Sequence, residues 1–196
     1  MKGNGMNEFA AASGIPATSQ GASSREPTVG TDAWGSGFDQ LPDSARLWIF
    51  GVSRPLDEVE EALLLERVDA FIAQWAAHGH PLAAARVWRE GRFLMVAVDD
   101  RVTPPSGCST DALVRALRRL ETDLGVEMVG NAPIWYRGET GRPTRVSRPQ
   151  FRELATRKEI DRETAVFDLS LTRLGDLRNG RFEGPARDHW HRRLVE

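Results

Sequence analysis

The stretch Ala85-Arg-Val-Trp-Arg-Glu-Gly-Arg-Phe-Leu-Met-Val-Ala-Val98 decides the fold, because it contains two strand-like runs around a single turn. The pair Glu90-Gly91 separates the runs, and a glycine between two β-prone segments is typical of a hairpin. The second run is apolar at every position from 93 to 98, which indicates a central strand covered on both faces. The sequence therefore predicts an antiparallel hairpin whose second strand is buried.

A strand and a helix are predicted before this hairpin. The apolar run Arg46-Leu-Trp-Ile-Phe-Gly-Val52 has the composition of a buried strand. Asp57 and Glu60 have the spacing of a capping box, and Gly79 fits the position just past the end of a helix. Between them, apolar residues recur at helical spacing: Leu64, Val68, Phe71, Ile72 and Trp75.

A second helix and a fourth strand are predicted after the hairpin. The helix has an apolar stripe at i, i+4, i+7 and i+11, formed by Leu113, Leu117, Leu120 and Leu124. Gly125 closes this helix, and residues 126–129 form a further strand-like run. The resulting order, β-α-β-β-α-β, is that of a ferredoxin-like sheet with two helices on one face.

The remaining residues predict a small module of a hairpin, a helix and a strand. Its elements are a hairpin over Ile134–Arg137 and Thr144–Val146, a helix opened by Ser147 and Gln150, a strand over Thr164–Phe167, and a short helix or lid over Pro185–Leu194. The fold class is therefore α+β. We divide the chain into a disordered, glycine-rich tail (1–40), a ferredoxin-like domain (41–131) and a C-terminal module (132–196).

Composition narrows the function classes. The 196 residues include 26 Lys and Arg against 28 Asp and Glu, so the net charge of −2 argues against bulk capture of nucleic acid or an anionic membrane. One cysteine, Cys108, permits no intramolecular disulfide and no Cys-based zinc cluster. No apolar run is long enough to span a bilayer, and the N-terminus has no signal-peptide core. We expect a cytoplasmic protein with no membrane partner.

Four segments resemble a family of small bacterial proteins that often carry the label "ABC transporter ATPase". They are Leu41-Pro-Asp-Ser-Ala-Arg-Leu-Trp-Ile49, Gln74-Trp-Ala-Ala-His-Gly-His-Pro-Leu82, Ser106-Gly-Cys-Ser-Thr-Asp111 and Asp188-His-Trp-His191. The resemblance covers residues 41–196 and implies a fold and a set of positions, but no reaction. An ATPase of this class needs a Walker A loop with a lysine, and neither Lys2 nor Lys158 follows such a loop. The sequence therefore excludes ABC-type ATPase activity.

Residues 134–169 also resemble bacterial variants of the GYF-type fold, through Trp135-Tyr136, Ser147-Arg-Pro-Gln-Phe-Arg-Glu-Leu154 and Ile160-Asp-Arg-Glu-Thr-Ala-Val-Phe167. This resemblance implies a small module that binds proline-rich peptides on an aromatic surface. The Gly-Tyr-Phe triplet of that family is absent from the segment.

Cys108 is the first candidate for chemistry, because it lies at the N-terminus of the second predicted helix. The helix dipole there stabilises a thiolate, and His78 is the candidate general base. The same backbone amides could instead bind an anion, with a site formed by Ser106, Gly107, Ser109, Thr110 and Asp111. The simpler alternative is that Ser109 caps the helix and Cys108 is a small buried residue.

Three other groups of residues suggest binding. Trp88 and Trp190 could enclose a pocket beneath the C-terminal segment. The stretch Arg137–Lys158 has seven positive and two negative residues, and it could bind RNA through Arg145, Arg148, Arg152, Trp135 and Tyr136. Two His-x-His pairs, at 78–80 and 189–191, have metal-ligand spacing, but their positions favour capping and terminal roles, so we predict no metal and no cofactor.

The leading hypothesis is a binding or regulatory protein with a groove for a small molecule or peptide between its two modules. A protein partner or a homodimer remains open. The alternatives are a thiol-dependent or anion-binding enzyme centred on Cys108, and an RNA-binding protein that uses the basic stretch. The sequence alone does not decide whether the protein is an enzyme.

Overall fold

The computed structural model of the protein describes residues 36–128 and 133–196. The predicted disordered tail lies outside the described residues except for its end. There, positions 36–39 form a short helix and Phe38 is fully buried, so the folded part begins before residue 41. Within the described residues, no helix combines the length and apolar character needed to cross a bilayer.

The N-terminal half, residues 36–128, contains a three-stranded sheet and two long helices. Its elements in chain order are α1 (Ser36–Asp39), β1 (Arg46–Gly51), α2 (Glu58–Gln74), β2 (Ala76–Ala77), β3 (His80–Pro81), β4 (Ala84–Arg89), β5 (Phe93–Val98) and α3 (Gly107–Leu124). The sheet order is β1-β5-β4, and both neighbours of β5 run antiparallel to it. The predicted hairpin is therefore confirmed, and β5 is its buried central strand.

The predicted fourth strand is absent from the part of 126–129 that the structure describes. Residues 126–128 are irregular, although Val126 and Met128 bury their side chains in the core. The backbone of Glu127 pairs with the backbone and hydroxyl of Ser53, with no further ladder. The α+β class is confirmed, while the four-stranded ferredoxin-like topology stays a prediction.

The first long helix ends earlier than Gly79. Its N-terminus has the predicted capping box of Asp57 and Glu60, but its last residue is Gln74. His78 and Gly79, with φ of 53° and 81°, instead form the two-residue turn between β2 and β3. Both central residues of such a turn need positive φ, which explains the glycine.

The C-terminal half, residues 133–196, contains a four-stranded antiparallel sheet of order β7-β6-β8-β9. Its elements are β6 (Ile134–Arg137), β7 (Pro143–Val146), α4 (Arg148–Thr156), β8 (Ala165–Phe167), α5 (Leu174–Arg178), β9 (Glu183–Pro185), and 3₁₀ turns over Ala186–Asp188 and Trp190–Leu194. The predicted hairpin and the Ser147–Gln150 capping box are confirmed. The terminal segment forms 3₁₀ turns where a short helix or lid was predicted.

Both faces of β5 are covered, each by a different part of the chain. Leu94, Val96 and Val98 belong to a first core with the long helices. Phe93 and Met95, on the opposite face, belong to a second core that includes residues of the C-terminal half. The halves therefore share a core, and the described residues form one compact unit.

Aromatic rings fill this second core. The ring centroid of Phe93 lies 5.1 Å from that of Trp135, 4.9 Å from that of Phe167 and 5.1 Å from that of Phe182. Gly51 leaves room for the Trp135 ring, since a Cβ atom on Gly51 would lie 2.6 Å from Trp135 Cζ2. The contact between β1 and β6 therefore requires glycine at position 51.

We expect Gly51→Ala to lower the free energy of unfolding by about 1–3 kcal/mol, because the added methyl group must displace a fully buried ring. Urea denaturation at neutral pH measures this change. Gly107→Ala is the matched control, since a Cβ atom on Gly107 meets no atom within 4 Å. Equal stability of the two variants would contradict the close packing of β1 on Trp135.

Candidate functional site

Cys108 is the second residue of α3 and is exposed, so it is not the small buried residue of the simpler alternative. The cap is Ser106 and not Ser109: the Ser109 amide donates to Ser106 Oγ at 3.1 Å. The Thr110 amide donates to the Ser106 carbonyl at 3.0 Å. Two of the amides predicted to hold an anion are thus engaged within the helix, while Gly107 and Asp111 are exposed.

The C-terminal end of α2 and the N-terminal end of α3, where Cys108 lies, are in contact, whereas His78 lies beyond α2 in the turn between β2 and β3. Trp75, just after α2, donates from Nε1 to the Ser109 carbonyl at 2.9 Å, which joins these ends. His78 is exposed in its hairpin turn, and no hydrogen bond or ion pair between His78 and Cys108 occurs among the described residues. The structure brings the helix ends together without pairing the thiol with a base.

The two tryptophans predicted to share a pocket belong to different cores. Trp88 packs against the first core, beside the long helices, and its Nε1 has no hydrogen-bond partner. Trp190 packs against a third core, within the C-terminal half. Trp88 and Trp190 therefore do not share a core, and Trp190 lines a pocket whose wall does not include Trp88.

The aromatic residues predicted to bind RNA are engaged in packing within the C-terminal half. Trp135 is 1% exposed and cannot stack on a base, and Tyr136 packs edge-on against Phe151. Arg145 pairs with Glu127 at 2.7 Å, whereas Arg152 is exposed. The basic stretch therefore lacks the exposed stacking surface that its sequence suggested.

A pocket of about 540 Å³ lies in the C-terminal half, and we call it the Trp190 pocket. Its walls are Pro133, Arg148, Phe167, Leu169, Ser170, Trp190 and His191. Its volume falls in the range of small-molecule sites. Trp190, which was predicted to enclose a pocket, and Arg148, which was predicted to bind RNA, both line it.

Asp168 anchors one side of the Trp190 pocket. Its Oδ1 accepts from the Ser170 amide at 2.9 Å, from Ser170 Oγ at 2.5 Å and from Trp190 Nε1 at 3.2 Å. Its Oδ2 lies 3.7 Å from His189 Nδ1. Burial alone would raise the pKa of Asp168, but the nearby His189 and the Ser170 hydrogen bonds outweigh burial and lower the pKa to about 2. The carboxylate is therefore charged at neutral pH, and its Oδ1 accepts three hydrogen bonds.

His191 lines the same pocket with an unsatisfied polar atom. Its side chain is buried, at 1% exposure, and its Nδ1 has no hydrogen-bond partner. Burial lowers its pKa to about 4, and the charges of His189 and Arg148 act in the same direction, whereas Asp168 opposes them. The imidazole is therefore neutral at pH 7, and it offers Nδ1 to a hydrogen-bonding group.

Aromatic stacking supports His191 and Arg148 in the pocket wall. The Trp190 ring stacks on the His191 ring with a centroid distance of 3.9 Å. The Arg148 guanidinium lies 5.1 Å from the centroid of the Trp190 ring, which is within cation–π range. Trp190 thus connects an apolar surface, a cation and a neutral imidazole.

A second cavity, of about 490 Å³, runs between α2 and α3. Its walls are Arg67, Val68, Ala70, Phe71, Gln74, Trp75, Ala76, Ala112, Leu113, Ala116, Leu117, Arg119, Leu120 and Asp123. Its charged residues are Arg67, Arg119 and Asp123, and Trp75 Nε1 is already hydrogen-bonded to the Ser109 carbonyl. Binding sites combine an apolar wall with a few convergent polar groups, which favours the Trp190 pocket.

The arrangement at Asp168 is suited to binding more than to catalysis. Ser170 Oγ donates to Asp168 and to no histidine among the described residues, so it has no base to activate it as a nucleophile. Among residues 36–128 and 133–196, no group of three His, Cys, Asp or Glu side chains is placed to hold a metal ion.

Sequence reasoning did not identify Asp168 or Ser170 as site residues. A local signal was present, because Asp-x-Ser is a spacing at which an aspartate accepts from the backbone two residues on. The partnership with Trp190, 22 positions away, has no such signal.

No protein-family model matches the chain, and neither the curated proteins nor the solved structures contain a significant match.

We expect the free energy of unfolding to fall by about 2 kcal/mol between pH 7 and pH 5 through His191 alone. Its folded-state pKa of about 4 lies below the ordinary 6.5, so the unfolded chain takes up the proton first. The stability is complete above pH 6.5 and decreases as the pH falls toward 4. Urea denaturation at both pH values measures it.

His191→Phe should reduce this pH dependence, because phenylalanine keeps a buried ring without a titrating group. His80→Gln, in an exposed hairpin, is the matched control and should retain the dependence. An unchanged pH dependence in His191→Phe would contradict the burial of a neutral imidazole.

Proposed function

We propose that the protein binds a small molecule in the Trp190 pocket and acts as a binding or regulatory protein. One observation carries this proposal: His191, a wall residue of a pocket of about 540 Å³, is buried, and its Nδ1 has no hydrogen-bond partner among the described residues. An unsatisfied buried polar atom lowers stability, and a ligand that bonds to it removes that penalty.

The rest of the pocket supports binding by a preorganised site. Asp168 fixes Trp190 through its indole N–H, and Trp190 in turn stacks on His191. Phe167 belongs to the second core while it lines the pocket, so this part of the wall is anchored in buried aromatic packing. A site held in this way loses little conformational entropy when a ligand binds.

This location differs from the groove first expected between the two modules. All seven wall residues belong to the C-terminal half. We also propose a ferredoxin-like topology for the N-terminal half, a GYF-like fold for the C-terminal half and a cytoplasmic location. The volume of the pocket, about 540 Å³, falls in the range of small-molecule sites.

A panel of small neutral, anionic and cationic ring compounds tests the binding proposal. The readout is the indole N–H signal of Trp190 in two-dimensional NMR of the full chain, assigned with the variant Trp190→Phe. We expect at least one compound to move this signal saturably, because Trp190 forms the pocket wall.

The indole signal of Trp88 is the matched control, because Trp88 packs on a different core. The variant His191→Phe should weaken binding of the same compound by about tenfold, the cost of one hydrogen bond to a buried group. A panel in which no compound moves the Trp190 signal, or moves it only together with that of Trp88, would contradict the proposal.

A further inference from the structure

We infer that the ligand of the Trp190 pocket carries an oxyanion, a carboxylate or a phosphate monoester, on a flat apolar body, and that Arg148 binds this oxyanion. The inference rests on the proposed function and adds the chemical class of the ligand. The charges and hydrogen-bond partners of the groups around the pocket support this assignment.

Arg148 is the first residue of α4. Its guanidinium group forms no hydrogen bond or ion pair with residues 36–128 or 133–196. Many other arginines of the chain are paired with carboxylates, as Arg137 is with Glu183 and Arg86 with Asp69. Arg148 instead stacks its guanidinium on the Trp190 ring. Stacking leaves the N–H groups at the edge of the guanidinium plane available, and this edge matches a carboxylate or phosphate.

The one carboxylate beside the pocket does not neutralise Arg148. Asp168 accepts three hydrogen bonds at Oδ1, from Ser170 and Trp190, and its Oδ2 faces His189. Arg148 is not among these donors. Arg148 is the one charged side chain among the seven wall residues, because the His191 imidazole is neutral, and an anionic ligand fits its guanidinium.

The remaining wall defines the body of the ligand. Phe167 and Leu169 present apolar surface, and the Trp190 ring offers a flat face. His191 Nδ1 requires one further hydrogen-bonding group on the ligand. A planar ring with an oxyanion at one end satisfies the apolar wall and the guanidinium together.

Three probes of one ring size separate charge from shape: benzoate, phenyl phosphate and benzamide. Titration of the full chain, followed at the Trp190 indole signal, gives a dissociation constant for each. We expect at least one anion to bind about tenfold more tightly than the neutral amide, because a charge-assisted hydrogen bond replaces a neutral one. Tighter binding of phenyl phosphate assigns the ligand as a phosphate, and tighter binding of benzoate assigns it as a carboxylate.

Arg148→Gln should remove the preference for the anion, so that benzoate and phenyl phosphate then bind no more tightly than benzamide. Arg152→Gln is the matched control, since it removes an equal charge from an exposed position on the same helix outside the pocket. Equal affinities of the wild type for all three probes, or an anion preference that survives Arg148→Gln, would overturn the inference and leave the proposed pocket standing. Failure of all three probes to move the Trp190 signal also overturns it, while the broader panel decides the proposed function separately.

Discussion

The burial of β5 on both faces is the constraint on which the rest of the structure depends. Six consecutive apolar residues cannot face water on either side, so two layers must cover one short strand. The long helices cover one face, and the C-terminal half covers the other with Trp135, Phe167 and Phe182. The C-terminal half is thereby joined to β5 through a shared aromatic core.

The candidate site is a direct extension of that core. Phe167 packs against Phe93 and lines the pocket, and the next residue, Asp168, accepts a hydrogen bond from Trp190 in the pocket wall. One strand end thus supplies both the anchor in the core and the carboxylate that positions Trp190. The pocket keeps His191 neutral and Arg148 unpaired with any described carboxylate, which are the two features that a ligand could use.

Local sequence patterns predicted most of the elements, because capping boxes, apolar periodicity and hairpin turns act over a few residues. The capping pairs Asp57–Glu60 and Ser147–Gln150 are examples. Features set by distant contacts were missed. Trp135 was expected to stack on bases, yet it fills space against Gly51 and Phe93. Residues 126–128, part of a predicted strand, are irregular and pair through Glu127 with Ser53. In the site, Trp190 and Arg148 were predicted separately, and only the fold places them together on one wall.

The most direct measurement is the protonation state of the His191 imidazole, followed by ¹⁵N NMR of the ring nitrogens as the pH is lowered. The account predicts that His191 stays neutral well below pH 6 and gains its proton only near pH 4, because its ring is buried at the pocket wall. A midpoint near the ordinary value of about 6.5 would show a hydrated ring. That result would contradict the buried, unpartnered imidazole on which the binding proposal rests.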